Sequence, residues 1–246
     1  MTLAKQPGKR IVAMELAAAV ICSLAVAIGV AGCQTVQGFT ATALVRVIDA
    51  SYIAPPANVF IENQLFAGNI GQGYISNYGT VTPSPAAVVK VTPVTGSTPA
   101  VSAAATLNAG TQHTVFITDN GQSATQYVVT VLSDQATAAA IGQSAFRFLN
   151  QAPRTGGVDV YMVPSGGTLA DTVPLVTNLV VGASTSYISF ASQTVTMVIT
   201  PTGTITPKYT STALALTGGE VRTVVIVDSQ LTTNPPVQVL IADDVN

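Results

Sequence analysis

The chain of 246 residues has no tryptophan, a single histidine and two cysteines, and only 8% of its residues are charged. An average soluble domain is about 25% charged. Each shortage excludes something. Nine basic residues against eleven acidic ones provide no Lys/Arg excess of the kind that binds polyanions, so no nucleic-acid partner is expected. Two cysteines cannot build a disulfide-dense scaffold. One histidine leaves the standard zinc sites short of ligands, and no phosphate loop follows a strand and opens a helix. Neither a metal nor another cofactor is expected. At 48% hydrophobic the chain is too apolar for a charged disordered polymer. What it does hold is 20 glycines and 14 prolines, punctuating stretches of Val, Thr, Ala and Ile.

The first residues carry an address. Lys5, Lys9 and Arg10 form a basic stretch, and Leu16 to Ala31 is almost wholly apolar. A short apolar run behind positive charge, ending in small residues, reads as a secretory signal. The run is shorter than the roughly 20 residues that a membrane span prefers. An uncleaved span, or an ordinary signal with a chance cysteine, is the rival reading. A start at Met14 would lose the basic residues, so Met1 is the favoured start. The run closes Val30-Ala31-Gly32-Cys33, which resembles the lipobox of bacterial lipoproteins. That resemblance implies a signal peptide over 1–32, cleavage before Cys33, and acylation of Cys33 by diacylglycerol and a fatty acid such as palmitate. Several acyl chains anchor stably where one does not. The remaining 214 residues would carry six basic and ten acidic side chains, a net charge of −4, and no free thiol. The implied location is the exported side of a membrane in the cell envelope. Gln34 in place of Asp is compatible with an outer membrane, if the cell has one.

The body is duplicated. Val45-Arg46-Val47-Ile48-Asp49 matches Phe146-Arg147-Phe148-Leu149-Asn150 at an offset of 101. Asn58-Val59-Phe60-Ile61 matches Asp159-Val160-Tyr161-Met162 at the same offset. Lys90-Val91-Thr92-Pro93 matches Val198-Ile199-Thr200-Pro201 at 108, and Thr114 to Asp119 matches Thr223 to Asp228 at 109. An offset that drifts slowly is what loop insertions produce. Val195, Met197 and Ile199 fall on one face of an extended chain, as do Val237, Val239 and Ile241, and period two is the signature of a half-buried strand. Turn signals such as Asn120-Gly121 and Gly218-Gly219 separate the runs. Each unit spans about 90–100 residues, the size at which an immunoglobulin-like sandwich closes. The expected fold is all-β, with two tandem immunoglobulin-like β-sandwiches after the signal peptide. The expected layout is a tether over 33–41, a first sandwich over 42–134, a linker over 135–143 and a second sandwich over 144–246. The alanine-rich linker reads either as a short helical turn or as extended chain.

The stretch Val45-Arg46-Val47-Ile48-Asp49-Ala50-Ser51, followed by Ala54-Pro55 and Asn58-Val59-Phe60, resembles the opening of a bacterial domain of unknown function, number 4397. Arg147-Phe148-Leu149-Asn150-Gln151-Ala152-Pro153 with Val158-Asp159-Val160-Tyr161 keeps other parts of that pattern. The resemblance implies repeated β-sandwich modules in secreted or envelope proteins and no particular chemistry. Ile53 and Asn58 depart from it where acidic residues are common, and Arg154 with Gly156-Gly157 stands where the family's Asp-Ala-Pro segment would lie.

No catalytic set emerges, so no enzyme is expected. His113 aligns with Arg222 and reads as a solvent-facing strand residue, not a general base. Asp119 and Asp228 are repeat equivalents, which favours a shared structural turn. Asp49 and Asp159 read the same way. Asp243-Asp244 reads as a solvated tail. Arg46 and Arg147 sit inside apolar strands, and their expected state is a packed stem with a wet head. Tyr52, Phe66, Tyr74, Tyr78, Tyr161, Tyr187 and Tyr209 are candidates for a sugar-binding platform, with Tyr74-Ile75-Ser76 read as the counterpart of Tyr187-Ile188-Ser189 and those two tyrosines as core or corner residues. The functional expectation is a lipid-anchored envelope protein serving as a structural or adhesive scaffold. Its membrane contact would be the N-terminal lipid, and its partner a protein or a polysaccharide. A cell-wall polysaccharide-binding module is the alternative.

Overall fold

A computed structural model of the chain describes residues 41–119, 126–230 and 236–245. Cys33, the signal peptide and most of the tether lie outside the described residues. Among the described residues all regular structure is β, and no helix is long and apolar enough to cross a membrane.

The first half contains β1 (Ala43–Asp49), β2 (Ala57–Ile61), β3 (Gln64–Ile70), β4 (Gly79–Val81), β5 (Ser84–Pro93), β6 (Val101–Leu107), β7 (Gln112–Thr118) and β8 (Val128–Ser133). They form two four-stranded sheets, β4-β1-β7-β8 and β3-β2-β5-β6. The second half contains β9 (Gln143–Gln151), β10 (Val158–Pro164), β11 (Val176–Leu179), β12 (Ile188–Ala191), β13 (Thr194–Pro201), β14 (Tyr209–Ala215), β15 (Val221–Asp228) and β16 (Val237–Val245). Its sheets, β12-β9-β15-β16 and β11-β10-β13-β14, repeat the first pair strand for strand. Two successive sandwiches are therefore what the chain forms.

The repetition extends to register. β1 lies parallel to β7 with Leu44 opposite Gln112, and β9 lies parallel to β15 with Ala145 opposite Val221. β2 pairs with β5 so that Ala57 faces Pro93, and β10 pairs with β13 so that Val158 faces Pro201. The bulged β2–β3 and β10–β11 pairs each carry an asparagine at positive φ, Asn69 and Asn178. Each is steadied by the residue opposite: Asn58 Oδ1 accepts from Asn69 N at 2.9 Å, and Asp159 Oδ1 accepts from Asn178 N at 2.7 Å. Asparagine tolerates this left-handed conformation better than other non-glycine residues.

Alternation explains the layers. In β1, Ala43, Val45 and Val47 point into the first core with Val59, Val89, Val115 and Ile117. In β9, Phe146 and Phe148 point into the second core with Val160, Met197, Val224 and Ile226. The intervening positions of these strands are also buried, which a one-sided sandwich sheet does not require. The reason is a third cluster that joins the halves: Ile48, Ala50 and Phe116 pack with Leu149, Val225, Val227 and Ala242. The β1-containing sheet of one half thus faces the β9-containing sheet of the other. Residues 134–140 between the halves run as irregular chain with a bend at Thr137, and a turn closed by Gln143 N on the Ala140 carbonyl at 2.9 Å leads into β9, so this stretch forms no helix.

Candidate functional site

The outer faces of these two sheets meet around four charges. Arg46 on β1 and Arg147 on β9 are 1% and 5% exposed. Their heads are not wet, contrary to the surface expectation, because each head reaches across to the opposite half. The Arg147 Nη2 group donates to Asp134 Oδ1 at 2.5 Å, and Nη1 donates to the Ser133 carbonyl at 3.0 Å. Arg46 repeats this with Asp244 Oδ1 through Nη2 and with the Asp243 carbonyl at 3.0 Å through Nη1. Asp134 follows β8 and Asp244 sits near the end of β16. The arginine of each half is therefore held by the last strand of the other.

The remaining oxygens are filled from the carboxylate's own half. Asp134 Oδ2 accepts from Tyr78 Oη at 2.8 Å and Thr114 Oγ1 at 2.6 Å. Asp244 Oδ2 accepts from Tyr187 Oη at 2.6 Å and Thr223 Oγ1 at 2.8 Å. Each threonine also accepts from the arginine of its own half, Thr114 from Arg46 Nε at 2.8 Å and Thr223 from Arg147 Nε at 3.2 Å. The guanidinium carbon of Arg46 lies 4.9 Å from the centre of the Tyr78 ring, and that of Arg147 lies 4.9 Å from Tyr187. Two arginines, two aspartates, two tyrosines and two threonines thus form one latch with approximate two-fold symmetry. Burial pushes both tyrosine phenols far above their ordinary pKa, so they stay protonated and keep donating. Burial also raises Asp244, against the lowering effect of Arg46 and its two hydroxyl donors.

This geometry corrects several expectations. Asp244 is buried and paired, so only Asp243 of that pair resembles a solvated residue. Its carboxylate is half-exposed beside Arg222 at 2.9 Å. The counterpart of Tyr187 is Tyr78, not Tyr74. Tyr78 and Tyr187 share the latch geometry, whereas Tyr74 is an exposed loop residue whose backbone bonds Asp49. His113 is 4% exposed and therefore not solvent-facing. Its Nε2 lies 2.7 Å from Thr111 Oγ1, and desolvation lowers its pKa, which keeps the ring neutral at physiological pH. Among the described residues no group of three or more His, Cys, Asp or Glu is placed to hold a metal ion.

Several of the aromatic candidates are engaged within the fold. The ring of Tyr78 carries Arg46, that of Tyr52 carries Arg154 at 5.6 Å, and Tyr161 is buried. Asp119 and Asp228 do play equivalent structural parts. Asp119 Oδ2 accepts from Ile53 N and Ala54 N at 2.5 and 2.6 Å. Asp228 accepts from Arg154 N and Thr155 N at 2.6 and 3.1 Å. Each clamps the loop between the first two strands of its own half. The latch itself is the site that the sequence reading missed. A signal for it exists: Ser133-Asp134 and Asp243-Asp244 occupy the same place in the two units, 110 residues apart.

A cavity of about 470 Å³ opens beside the latch, between Arg46, Ser76, Asn77, Tyr78, Gln112 and Asp243. Its lining is mostly polar.

Comparison with curated proteins produces no match. The model of a family described as a domain of unknown function, DUF4397, matches residues 43–161. The match starts at β1, takes in the whole first half, and ends within β10. It covers Arg46, Tyr78, Thr114, Asp134 and Arg147 of the latch. Over these residues the chain carries a DUF4397-like domain.

Proposed function

We propose that the protein is a lipid-anchored cell-envelope component that acts as a rigid, non-catalytic scaffold for binding or adhesion. The second half, on this reading, is a second copy of the same domain. Cleavage falls before Cys33, and acylation there ties the body to the exported face of a membrane. In a cell with two membranes this is the outer one. The observation that carries the scaffold reading is the latch. The buried arginines and their carboxylates are spent on joining two sandwiches, and a body held by crossed ion pairs and a shared apolar cluster does not flex as two beads on a string. His113 supports the same reading, since its ring is buried and engaged with Thr111.

Metabolic labelling with an alkyne fatty acid tests the anchor. The wild-type chain should take up label and fractionate with membranes, while Cys33→Ser should do neither. Label retained in Cys33→Ser, or an unlabelled wild type, would overturn it.

A further inference from the structure

An edge strand presents a row of unpaired backbone groups, and folds guard such rows with bulges, charge or brevity. Most edges of this molecule are guarded. β4 and β12 have three and four residues. β3, β11 and β14 each hold the extra residue of a bulge, as where Ala213 to Thr210 of β14 runs opposite Thr196 to Val198 of β13. β16 carries Asp243 and Asp244 near its end. β6 lacks all three guards. It runs seven residues, Val101–Leu107, and the bulge it shares with β5 lies on β5, where Ser84 to Ala87 runs opposite Leu107 to Ala105. From Val91 to Ser133 the sequence holds a single Asp, Glu, Lys or Arg, and that residue, Asp119, is buried. Lys90 stands opposite Ser102 on β5, but its Nζ donates to Asn63 Oδ1 at 2.7 Å, towards β2 and away from β6. β8, which meets β6 across the sandwich, is equally free of charge, and the carbonyl of its last residue is taken by Arg147.

The backbone of β6 is set for pairing. Glu62 N donates to the Val88 carbonyl at 3.0 Å, so Val88 turns its N–H and C=O towards β2. Bonded and non-bonded partners alternate along an antiparallel ladder. Ala104, the partner of Val88 on β6, therefore turns its own N–H and C=O to the open edge, as do Ser102 and Thr106. The side chains of these three are exposed on the outer face, while Val101, Ala103, Ala105 and Leu107 are half-buried or buried on the other.

β6 is also its own complement. Reversed about Ala104, Ser102 falls opposite Thr106 on the outer face, and Val101 falls opposite Leu107 and Ala103 opposite Ala105 on the core face. Hydroxyl meets hydroxyl and apolar meets apolar. The same reversal of β14 about Thr212 sets Thr210 against Leu214 and Tyr209 against Ala215. A strand that matches itself fits an isologous contact, in which the same patch serves both partners.

We propose that β6 pairs antiparallel with β6 of a second copy of this chain, about a two-fold axis through Ala104, joining two four-stranded sheets into one. Ala104 exchanges both main-chain bonds with its counterpart, and on either side of the axis Ser102 of one copy does so with Thr106 of the other. The main chain supplies the attraction, as in other cases of strand addition. The inference goes beyond the scaffold reading by naming the partner as the protein itself, and it holds whether or not Cys33 is acylated.

Sedimentation velocity of the full chain in a density-matched detergent tests it. Dimer formation depends on protomer concentration, so runs at about 1, 10 and 100 μM should show the mass rising from one chain to two. Ala104→Lys and Ala104→Glu each set like charges opposite one another at the axis, which opposes pairing. Each alone should stay a single chain over that range, and at the lowest concentration should melt with the wild type. An equimolar mixture of the two should regain the dimer, since opposite charges then meet. Thr212→Lys, at an exposed position of β14, should dimerise as the wild type does. A wild type that stays monomeric at every concentration would overturn the proposal. So would a dimer that survives Ala104→Lys, or a Lys and Glu mixture that stays monomeric. Fatty-acid labelling of Cys33 is read on the same variants, so loss of the dimer and loss of the anchor are told apart.

Discussion

At the scale of single residues, repetition allows one half to be used as a control for the other. Asp49 and Asn150 occupy equivalent buried positions. Asn150 is satisfied on all sides: Oδ1 accepts from Ala152 N, and Nδ2 donates to the carbonyls of Gly156 and Leu179 at 2.8 and 2.7 Å. Asp49 Oδ1 accepts from Ser51 N and Oγ, but Oδ2 is buried without a partner. Desolvation is the main reason its pKa is raised. The carbonyls of Pro55 and Ile70, counterparts of Gly156 and Leu179, can accept from an amide but not from a carboxylate. Asp49→Asn should therefore stabilise the fold at neutral pH by about 1–2 kcal/mol, the usual penalty of an unmet buried group. The sign of the pH dependence follows from the raised pKa. Folding favours the protonated acid, so the Asp49 contribution is fully present below its unfolded pKa and is lost as pH rises through the folded one. Urea melts of the two proteins should differ most at neutral pH and converge as the pH falls. A gap independent of pH would show that Asp49 does not carry the penalty.

At the scale of elements, the ends of β8 and β16 do more than close their sheets. β16 carries two adjacent aspartates with opposite fates. Asp243 faces Arg222 near solvent, and an exposed pair of that kind contributes about 0–1 kcal/mol. Asp244 is buried against Arg46, Tyr187 and Thr223. Removing it leaves the buried Arg46 guanidinium with only the more distant Asp134 at 4.0 Å, and breaking one side of a buried pair typically costs about 3–5 kcal/mol. Chemical denaturation should show Asp243→Ala within 1 kcal/mol of wild type and Asp244→Ala far below it. Equal losses would refute the latch. The strands themselves were readable in the sequence, because Val195, Met197 and Ile199, or Val237, Val239 and Ile241, recur at period two within branched, turn-bounded runs. The latch was not. Arg46 lies 198 positions from Asp244, and no local pattern reports a contact made across two domains. Matching Tyr74-Ile75-Ser76 to Tyr187-Ile188-Ser189 by letters alone also hid it. The true partner, Tyr78, stands at the offset of 109 that already aligns β7 with β15. Burial of Arg46 was likewise hidden, since it depends on a second layer of protein over the outer face of β1, whereas His113 is in step with Val115 and Ile117 on the core face of β7, so its burial was readable from strand period.

At the scale of the whole molecule, the question is whether two sandwiches fold as two bodies or as one. Repeated units that touch only through a linker unfold separately. Here the connection is of a different kind, because Ile48, Ala50 and Phe116 share a cluster with Leu149, Val225, Val227 and Ala242, and both arginines find their carboxylates across the seam. Opening one half would expose half of that cluster and take away the close cross-seam partners of the other half's arginine and aspartate, although Arg46 and Asp134 of the first half keep each other at 4.0 Å. That coupling penalises any state with a single folded half. Calorimetry of the wild type should therefore give one transition whose van't Hoff and calorimetric enthalpies agree, the test of two-state behaviour. Weakening the seam should break the coupling without emptying either core. Leu149→Ala removes apolar contact on one side at a cost of about 2–5 kcal/mol, and Asp244→Ala removes the charge pairing. The double variant should melt in two resolved steps, with the less stable half leaving first and the β-sheet signal of the other persisting. Two steps already present in the wild type would mean that the crossed arginines decorate the seam without coupling it, and the rigid body on which the scaffold reading depends would be lost.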